Sequence, residues 1–481
     1  MTAQETRTPP PFAGGDAIPH TGAVDVRADR RAAVAKRRAA AGNLVGHGGP
    51  VKAVAADATL AFVASGSFDY SLMVWDVRGE RPRLVRRHTV FAGAVNAVRF
   101  VPGSDRLVAG GDDGQLWLLG RDAAAPVARL EGHKAKINAL AVTSDGRFAA
   151  SAGWDHTARI WDLGGLRAGP VLEGHRGPVN AVEFSGDGAT VYTGGTDGRV
   201  LAWRRSDGTQ LRTVHKHGWG INVLRRVAAA GCDCLIAGTS NGAVLVLDPQ
   251  AGTIVAELAA HARPVLAVAV LARPGLVATG GGGGVLNVTR IGDWKPIATY
   301  QNTFGPVWAL AFVEDGKALY YGGLDDFVAR WQLSPRAPFE HADSPFPRRF
   351  QMGEGLSSGE RQFARKCSVC HTLGPDDGNR AGPTLYRIFG RKAGTLPGYP
   401  FSEALKRAGF AWDEGTIGQL FAQGPDVFTP GSKMPLQRIT DAVMRDALIR
   451  FLKSATAEGR GGAAAPEGAQ PDPQAKGEKS R

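Results

Sequence analysis

Short stretches in which apolar and polar residues alternate run through most of the chain and predict β-strands. Val179-Asn180-Ala181-Val182-Glu183-Phe184 is typical of them, because a two-residue period places alternate side chains on opposite faces of a strand. Such stretches recur between residues 43 and 333 with a period of about 42 residues, which is the range of arrays built from small repeated β-sheets. The pattern therefore predicts a long all-β repeat region.

Four residues mark three copies of the repeat most clearly. The matching sets are His47, Ser65, Asp69 and Trp75; His133, Ser151, Asp155 and Trp161; and His175, Thr193, Asp197 and Trp203. At these residues the chain resembles the WD-repeat family, whose unit is a four-stranded antiparallel blade of a β-propeller. The resemblance implies that the four side chains form a hydrogen-bonded chain, since a buried Trp N–H and a buried Asp each need a partner.

Four further copies keep only part of this pattern, so seven blades are predicted. They are marked by Phe91, Asp113 and Leu119; by His217, Asn241 and Leu247; by His261 and the glycines from Gly280 to Gly284; and by Thr303, Tyr321, Asp325 and Trp331. In the family, the N-terminal segment supplies the outermost strand of the last blade. We therefore expect Leu44-Val45-Gly46 to close the ring beside Trp331. The His and Asp residues recur once per blade, which is expected of structural residues and not of a catalytic site. The loops are expected to offer a rigid protein-docking face.

A helical pattern replaces the strands after residue 352. Residues 359–367 are expected to form a helix that leads into Cys367-Ser368-Val369-Cys370-His371, and a second helix is expected near the end, capped by Thr440 or Asp441. Its apolar positions, all interpreted as core, are Val443, Ala447, Leu448, Phe451 and Leu452. Gly359 has no side chain and should let the two helices cross closely.

The Cys-x-x-Cys-His run is an attachment site for a c-type haem, in which two thiols add to the vinyl groups and the His reaches the iron. The whole unit from 353 to 456 resembles a class I cytochrome c of the mitochondrial type. The matching segments are Gly382-Pro383-Thr384-Leu385, Phe389-Gly390-Arg391-Lys392, Pro397-Gly398-Tyr399, Trp412 and Thr429-Pro430-Gly431-Ser432-Lys433-Met434.

The resemblance implies a role for each matching residue. Cys367 and Cys370 would hold one haem c covalently. His371 and Met434 would be the axial ligands of the iron, and the second ring nitrogen of His371 would donate to the Pro383 carbonyl. Tyr399, Trp412 and Ser432 would hydrogen-bond the haem propionates, with Arg391 as a nearby cation. Because protein fills both axial positions, electron transfer is favoured over catalysis.

Charge and the other cysteines change this picture little. The net charge of +12 and the pI of about 9.7 favour acidic partners, but no nucleic-acid-binding motif accompanies the charge. Lys366, Lys392 and Lys433 could ring the haem edge and steer an acidic redox partner, or form an ordinary solvated face.

Cys232 and Cys234 are interpreted as two turn cysteines, because a disulfide across one residue is strained and no metal-binding cluster lies nearby.

These patterns predict a multidomain chain: an all-β seven-bladed WD-repeat propeller followed by an all-α class I cytochrome c domain. The predicted divisions are 1–42, an extension that is disordered or a damaged leader; 43–333, the propeller; 334–352, a proline-rich linker; 353–456, the cytochrome c domain; and 457–481, a disordered tail. Haem is attached outside the bacterial cytoplasm, so a periplasmic location is expected, although residues 1–42 contain no apolar signal core. No apolar run is long enough to span a bilayer.

Three functions fit the sequence. The first is an electron-transfer protein with one six-coordinate haem, whose propeller docks a partner protein. The second is an oxidoreductase with a second cofactor or a substrate in the propeller channel. The third is an interaction module whose haem site is unused. The number of cofactors separates the first two, and a haem stain separates the third from both.

Overall fold

The repeat region folds as a ring of seven four-stranded antiparallel sheets in the computed structural model of the chain. The structure describes residues 42–79, 81–229, 232–302, 305–334, 357–367, 371, 373–374, 382–397, 399, 401–429, 434 and 438–457. The N-terminal extension, the tail and the linker, each apart from one residue at its edge, lie outside the described residues, as do Cys370, Ser432, Lys433 and Thr303.

Each of the first six blades uses four consecutive strands. The first strand, β1 (Leu44–Val45), belongs to the last blade. Blades one to three contain β2 (Val51–Ala56), β3 (Phe62–Ser67), β4 (Leu72–Asp76) and β5 (Arg83–His88); β6 (Val95–Phe100), β7 (Arg106–Gly111), β8 (Leu116–Gly120) and β9 (Pro126–Leu130); β10 (Ile137–Val142), β11 (Phe148–Gly153), β12 (Thr157–Asp162) and β13 (Arg167–Glu173). Blades four to six contain β14 (Val179–Phe184), β15 (Thr190–Gly195), β16 (Arg199–Arg204) and β17 (Gln210–Lys216); β18 (Ile221–Ala229), β19 (Cys232–Thr239), β20 (Val244–Asp248) and β21 (Thr253–Leu258); β22 (Val265–Leu271), β23 (Leu276–Gly281), β24 (Val285–Arg290) and β25 (Pro296–Gln301).

The last blade closes the ring with a strand from the other end of the region. It contains β26 (Ala309–Val313), β27 (Ala318–Gly322) and β28 (Phe327–Gln332), and β1 pairs with β28 so that Leu44 faces Val328. The first strands of neighbouring blades contact one another around the circle, and β26 returns to β2. The predicted closure by the N-terminal segment is therefore confirmed.

The polar chain predicted within a blade is present in the three well-matched copies. In the third blade Trp161 Nε1 donates to Ser151 Oγ at 2.8 Å, and that oxygen lies 2.7 Å from His133 Nε2. The other ring nitrogen of His133 lies 2.9 Å from Asp155. The hydroxyl accepts from the Trp and donates to Nε2, so Nδ1 carries the proton and donates to the carboxylate. All three buried polar groups are thereby paired.

In the blades that keep only part of the repeat pattern, other contacts replace some of these hydrogen bonds. In the second blade Phe91 packs edge-on against Trp117, whose indole N–H donates to Asp113 at 3.2 Å. In the sixth, His261 Nε2 lies 2.9 Å from Thr279 Oγ1. Apolar packing between blades supports these sheets, since the clusters of buried side chains span neighbouring blades.

The two remaining cysteines lie in a strand. Cys232 begins β19 and Cys234 follows within it, so their interpretation as turn cysteines is wrong. The strand extends further towards the hairpin than the sequence suggested, because β18 and β19 pair out to Ala229 and Cys232. Cys234 is buried and disulfide-bonded.

The described part of the C-terminal region is built from helices. They are α1 (Ser358–Lys366), α2 (Glu403–Lys406), α3 (Glu414–Gln423), α4 (Pro425–Phe428) and α5 (Ala442–Ala455). A single bridge between Lys392 and Ala411 is the β-pairing found among these described residues. None of the helices in the described segments has the length and apolar character needed to cross a membrane.

Candidate functional site

Helix α1 positions the first half of the predicted haem motif. Ser357 and Glu360 form a capping box that fixes its start. At its end the Cys367 N–H donates to Phe363 O at 2.9 Å, and the His371 N–H donates to Cys367 O at 2.8 Å. Because these bonds continue the helical turn, Cys367 and His371 lie one turn apart on the same side. The Cys367 side chain is buried, while Cys370 lies outside the described residues.

The ring of His371 is fixed by the Gly-Pro segment. Its Nδ1 lies 2.7 Å from Pro383 O. A carbonyl only accepts, so Nδ1 carries the proton and Nε2 carries a lone pair that can bind a metal. A Cβ added to Gly382 would lie 2.7 Å from Nδ1, which is too short for two atoms that are not bonded. Gly382 is therefore needed for this close approach.

A cavity brings together most of the residues that the sequence singled out. Its walls include Cys367, His371, Pro383, Arg391, Tyr399, Trp412 and Met434. The space between protein atoms is about 1240 Å³, part of it open to solvent. The structure thus places a nitrogen donor and a thioether on one large, mainly apolar cavity. Ser432 lies outside the described residues.

The polar and aromatic wall residues are held by their own neighbours. The Arg391 guanidinium donates to Thr384 O at 2.8 Å and to Tyr386 O at 3.1 Å. Burial lowers the pKa of Arg391 from its ordinary value, but a guanidinium remains protonated in proteins. Arg391 therefore places a positive charge at this wall.

Two aromatic wall residues are fixed by ring packing. Tyr399 packs edge-on against Phe401 with ring centres 4.7 Å apart, and Trp412 packs edge-on against Phe410 at 4.9 Å. The backbone of Trp412 also exchanges hydrogen bonds with Gly390 and Arg391. Both rings are thus held at the wall by contacts that do not depend on a ligand.

The first and last helices support the cavity by crossing closely at Gly359. A Cβ added there would lie 2.6 Å from Phe451 Cβ and would also meet the Ala447 carbonyl. This confirms the predicted close crossing. Asp441, rather than Thr440, caps α5 by accepting from the Met444 N–H at 3.1 Å.

One predicted core position of α5 is wrong. Val443 is 74% exposed. It lies one turn before Ala447, which meets Gly359 of α1, but it belongs to the first turn of α5, whose residues 442–444 are all exposed. Ile449, which the sequence did not select, is buried instead and joins Leu448 and Leu452 in the core.

Several wall residues were missed from the sequence. They are Phe401, Ser402, Leu405, Ile417, Leu420 and Phe421 at the cavity. Ile417, Leu420 and Phe421 follow helical spacing after the capping residue Asp413, so periodicity could have found them. Phe401 and Leu405 carry no comparable signal, because α2 is a single turn.

The donors and the lining fit a haem. A neutral imidazole and a thioether are ligands that iron accepts in haem proteins, and Cys367 stands one helical turn from the imidazole. The apolar lining from α3, α5 and the segment at 401–405 suits the faces of a porphyrin, and Gly382 leaves the space that the His371 ring needs.

Comparisons with known proteins agree with both parts of the fold. The family model "WD domain, G-beta repeat" matches residues 40–76, 83–118, 124–162 and 169–204. Cytochrome c from Gibberella zeae is 35% identical over 104 residues, which are 22% of this chain and 97% of the relative. Cytochrome c from Sesamum indicum is 39% identical over 102 residues, 21% of this chain and 91% of the relative.

A bacterial relative gives the same result. Cytochrome c2 from Blastochloris viridis is 36% identical over 106 residues, which are 22% of this chain and 82% of the relative. The matched length equals that of one domain, so these relatives correspond to part of the chain, and they imply a haem c cofactor for that part. The chain belongs to the cytochrome c family and also carries the repeats of a WD propeller.

Proposed function

We propose that this protein is an electron carrier with one haem c, and that its propeller serves as a protein-docking scaffold. The observation that carries the proposal is that His371 and Met434 line one cavity while Pro383 sets the His371 tautomer. In this proposal the haem is bound covalently through Cys367 and Cys370, and the domain is an all-α class I cytochrome c that spans residues 353–456.

The residues of the chain have distinct tasks in this proposal. His371 offers Nε2 to the iron because its Nδ1 proton is held by Pro383 O. Met434 would offer the iron a soft thioether, a ligand that favours Fe(II) and raises the potential. When bound, the haem supplies a one-electron Fe(III)/Fe(II) couple. Because His371 and Met434 would both bind the iron, the site would relay electrons and leave no position for a substrate.

The outer residues control the charge and the solvent around the cofactor. Tyr399, Trp412 and Ser432 would donate hydrogen bonds to the propionates, and Arg391 would offset their negative charge. The apolar side chains of α3 exclude water, which strengthens electrostatic interactions inside the cavity. We place the protein in the periplasm, where haem c is attached in bacteria.

Protein partners are proposed for both parts of the chain. WD repeats imply protein–protein interactions, and the seven blades offer a rigid platform for them. The redox partner is proposed to be acidic, because Lys392 is exposed at the wall of the cavity and the chain carries a net charge of +12. An electron-transfer rate that does not fall as salt rises from 50 to roughly 500 mM would contradict this steering.

An optical spectrum of protein exported with a bacterial leader tests the proposal. We expect a haem-stained band on a denaturing gel, a low-spin spectrum and one haem per chain. Met434→Ala should convert the spectrum to a high-spin form that binds added imidazole. Met444→Ala should leave it low-spin, because Met444 is 44% exposed and is not among the residues that line the cavity. An unstained band would leave only an interaction module, and a second chromophore would favour an oxidoreductase with a cofactor in the propeller channel.

A further inference from the structure

Four propeller residues line the same cavity as His371 and Met434. Phe68 and Tyr70 lie in the turn between β3 and β4 of the first blade, Ala94 precedes β6, and Asp112 follows β7 of the second blade. All four belong to one end of these two blades, where the loops that carry the His and Asp positions of the repeat meet. The cavity wall therefore continues from the C-terminal helices onto the propeller.

The propeller side of this wall is aromatic and rigid. Phe68 packs against Trp308 with ring centres 5.7 Å apart, and its N–H donates to Pro50 O at 3.0 Å. Tyr70 is held in the left-handed region with φ of 62°. Asp112 Oδ1 accepts from Asn96 Nδ2 at 2.8 Å, which fixes the carboxylate at the surface. Fixed aromatic side chains of this kind dominate the energy of protein interfaces.

The opposite side of the wall is complementary in character. Phe401, Leu405 and Tyr399 supply apolar and aromatic surface, and Lys392 and Arg391 supply positive charge. Asp112 supplies a negative charge on the propeller part of the lining, where it also acts on Lys52 and Lys136. Aromatic and apolar surface thus line one cavity together, and an acidic group shares this lining with two basic groups.

We infer that the end of the first two blades is a docking surface for the cytochrome domain of the same chain, and that it covers the opening of the haem cavity. The surface consists of Phe68, Tyr70, Ala94 and Asp112, and it is called the blade 1–2 surface below. It narrows the access of solvent and of external redox partners to the cofactor. A partner must compete with this surface for the region around Lys392, so docking and electron transfer become coupled events.

This inference goes beyond the proposed function, and its test reads backbone amides rather than redox activity. The experiment measures hydrogen–deuterium exchange of the 401–405 segment in the full-length protein. Phe68→Ala/Tyr70→Ala should raise its exchange rate by about tenfold, because truncating two central interface aromatics weakens an interface strongly. The matched control is Trp154→Ala. Trp154 occupies the equivalent turn of the third blade and is 43% exposed, but it is not among the residues that line the cavity.

A second variant guards against damage to the first blade. Asp112→Lys changes an exposed side chain and should raise exchange of 401–405 several-fold by repelling Lys392, and adding Lys392→Asp should restore protection. The docking surface would be disproved if the exchange rate of 401–405 were unchanged in both Phe68→Ala/Tyr70→Ala and Asp112→Lys. It would also be disproved if Trp154→Ala raised that rate equally. A missing haem stain would defeat the proposed function and is read separately, on a gel.

Discussion

Nδ1 of His371 lies 2.7 Å from the carbonyl oxygen of Pro383, twelve residues later in the chain. This bond fixes both the tautomer and the direction of the ring, and it depends on Gly382 having no side chain. It connects the Cys-x-x-Cys-His motif to the Gly-Pro motif. The two sequence signals are therefore parts of one physical arrangement.

Gly382→Ala should disturb this arrangement directly. The new methyl group overlaps the His371 ring, so either the ring or the 382–385 segment must move. We expect domain stability to fall by about 1–3 kcal/mol and the low-spin spectrum to be partly lost. Gly418→Ala is the control, because its Cβ would meet only Ile449 Cδ1 at an ordinary 3.6 Å. Equal spectra and equal denaturation midpoints for the two variants would contradict the prediction.

Gly359→Ala should separate the first and last helices. A methyl group there meets the Ala447 carbonyl and lies 2.6 Å from Phe451 Cβ, and the backbone of a helix cannot yield easily. Overpacking of this kind costs roughly 1–3 kcal/mol. Urea denaturation followed by the haem absorbance, with Gly418→Ala again as reference, measures the loss. A midpoint at or above that of the unmodified protein would show that the helices do not need this close crossing.

Leu44→Ala should weaken the closure of the ring. Leu44 is fully buried where β1 meets β28, and truncating a buried Leu typically costs about 2–5 kcal/mol. The next residue, Val45, is 38% exposed, so Val45→Ala should change stability by much less. Calorimetry of both variants tests whether β1 stabilises the propeller. If the two melting temperatures fall equally, burial at the closing strand is not what matters.

Ser151→Ala should cost more than its size suggests. It removes the hydroxyl that links Trp161 Nε1 to His133 Nε2, and leaves both buried nitrogens without that partner. An unsatisfied buried polar group costs about 1–3 kcal/mol. Ser206→Ala, on an exposed turn, should be nearly neutral. A propeller as stable in Ser151→Ala as in Ser206→Ala would show that packing alone holds the third blade.

Acid should destabilise the propeller, because several of its buried groups bind protons less readily in the folded chain than in the unfolded chain. Burial lowers the pKa of His133 and of His175 below 6.5 in the folded chain, so these rings stay neutral there while the unfolded chain takes up protons. Burial opposes ionisation of Asp197, but hydrogen bonds from Arg176, His175 and Arg199 lower its pKa from 3.8 to about 2.

The unfolded chain thus binds more protons than the folded chain over this whole range. Stability should be complete above pH 6.5, decline as the pH falls below it, and lose the Asp197 contribution between about 4 and 2. Melting temperatures from pH 8 to pH 3 measure the decline, and Asp197→Asn should flatten its lower part. A melting temperature that rises on acidification would contradict the assigned directions.

The sequence by itself determined the parts of the molecule that repeat or that lie close together along the chain. The spacing of His, Ser or Thr, Asp and Trp carries the resemblance to WD repeats, and that resemblance implied both the blades and the hydrogen bonds inside them. The signal is clear because each set of hydrogen bonds joins residues of one repeat. The Cys367 and His371 motif was equally clear, since a single helical turn separates the two residues. The closing strand was predictable from the same resemblance, because Leu44-Val45-Gly46 precedes His47 as Leu172-Glu173-Gly174 precedes His175.

Only the tertiary structure decided which distant surfaces meet. Val443 follows the helical period but is exposed. Periodicity predicts the side of the helix on which a residue lies, but not how far along the helix the neighbouring elements cover that side. Phe401 and Leu405 reach the cavity through a one-turn helix that leaves no periodic signal. The position of Phe68 and Tyr70 on the wall of the haem cavity depends on contacts across hundreds of residues, and packing between separately folded elements leaves no mark in the spacing of either.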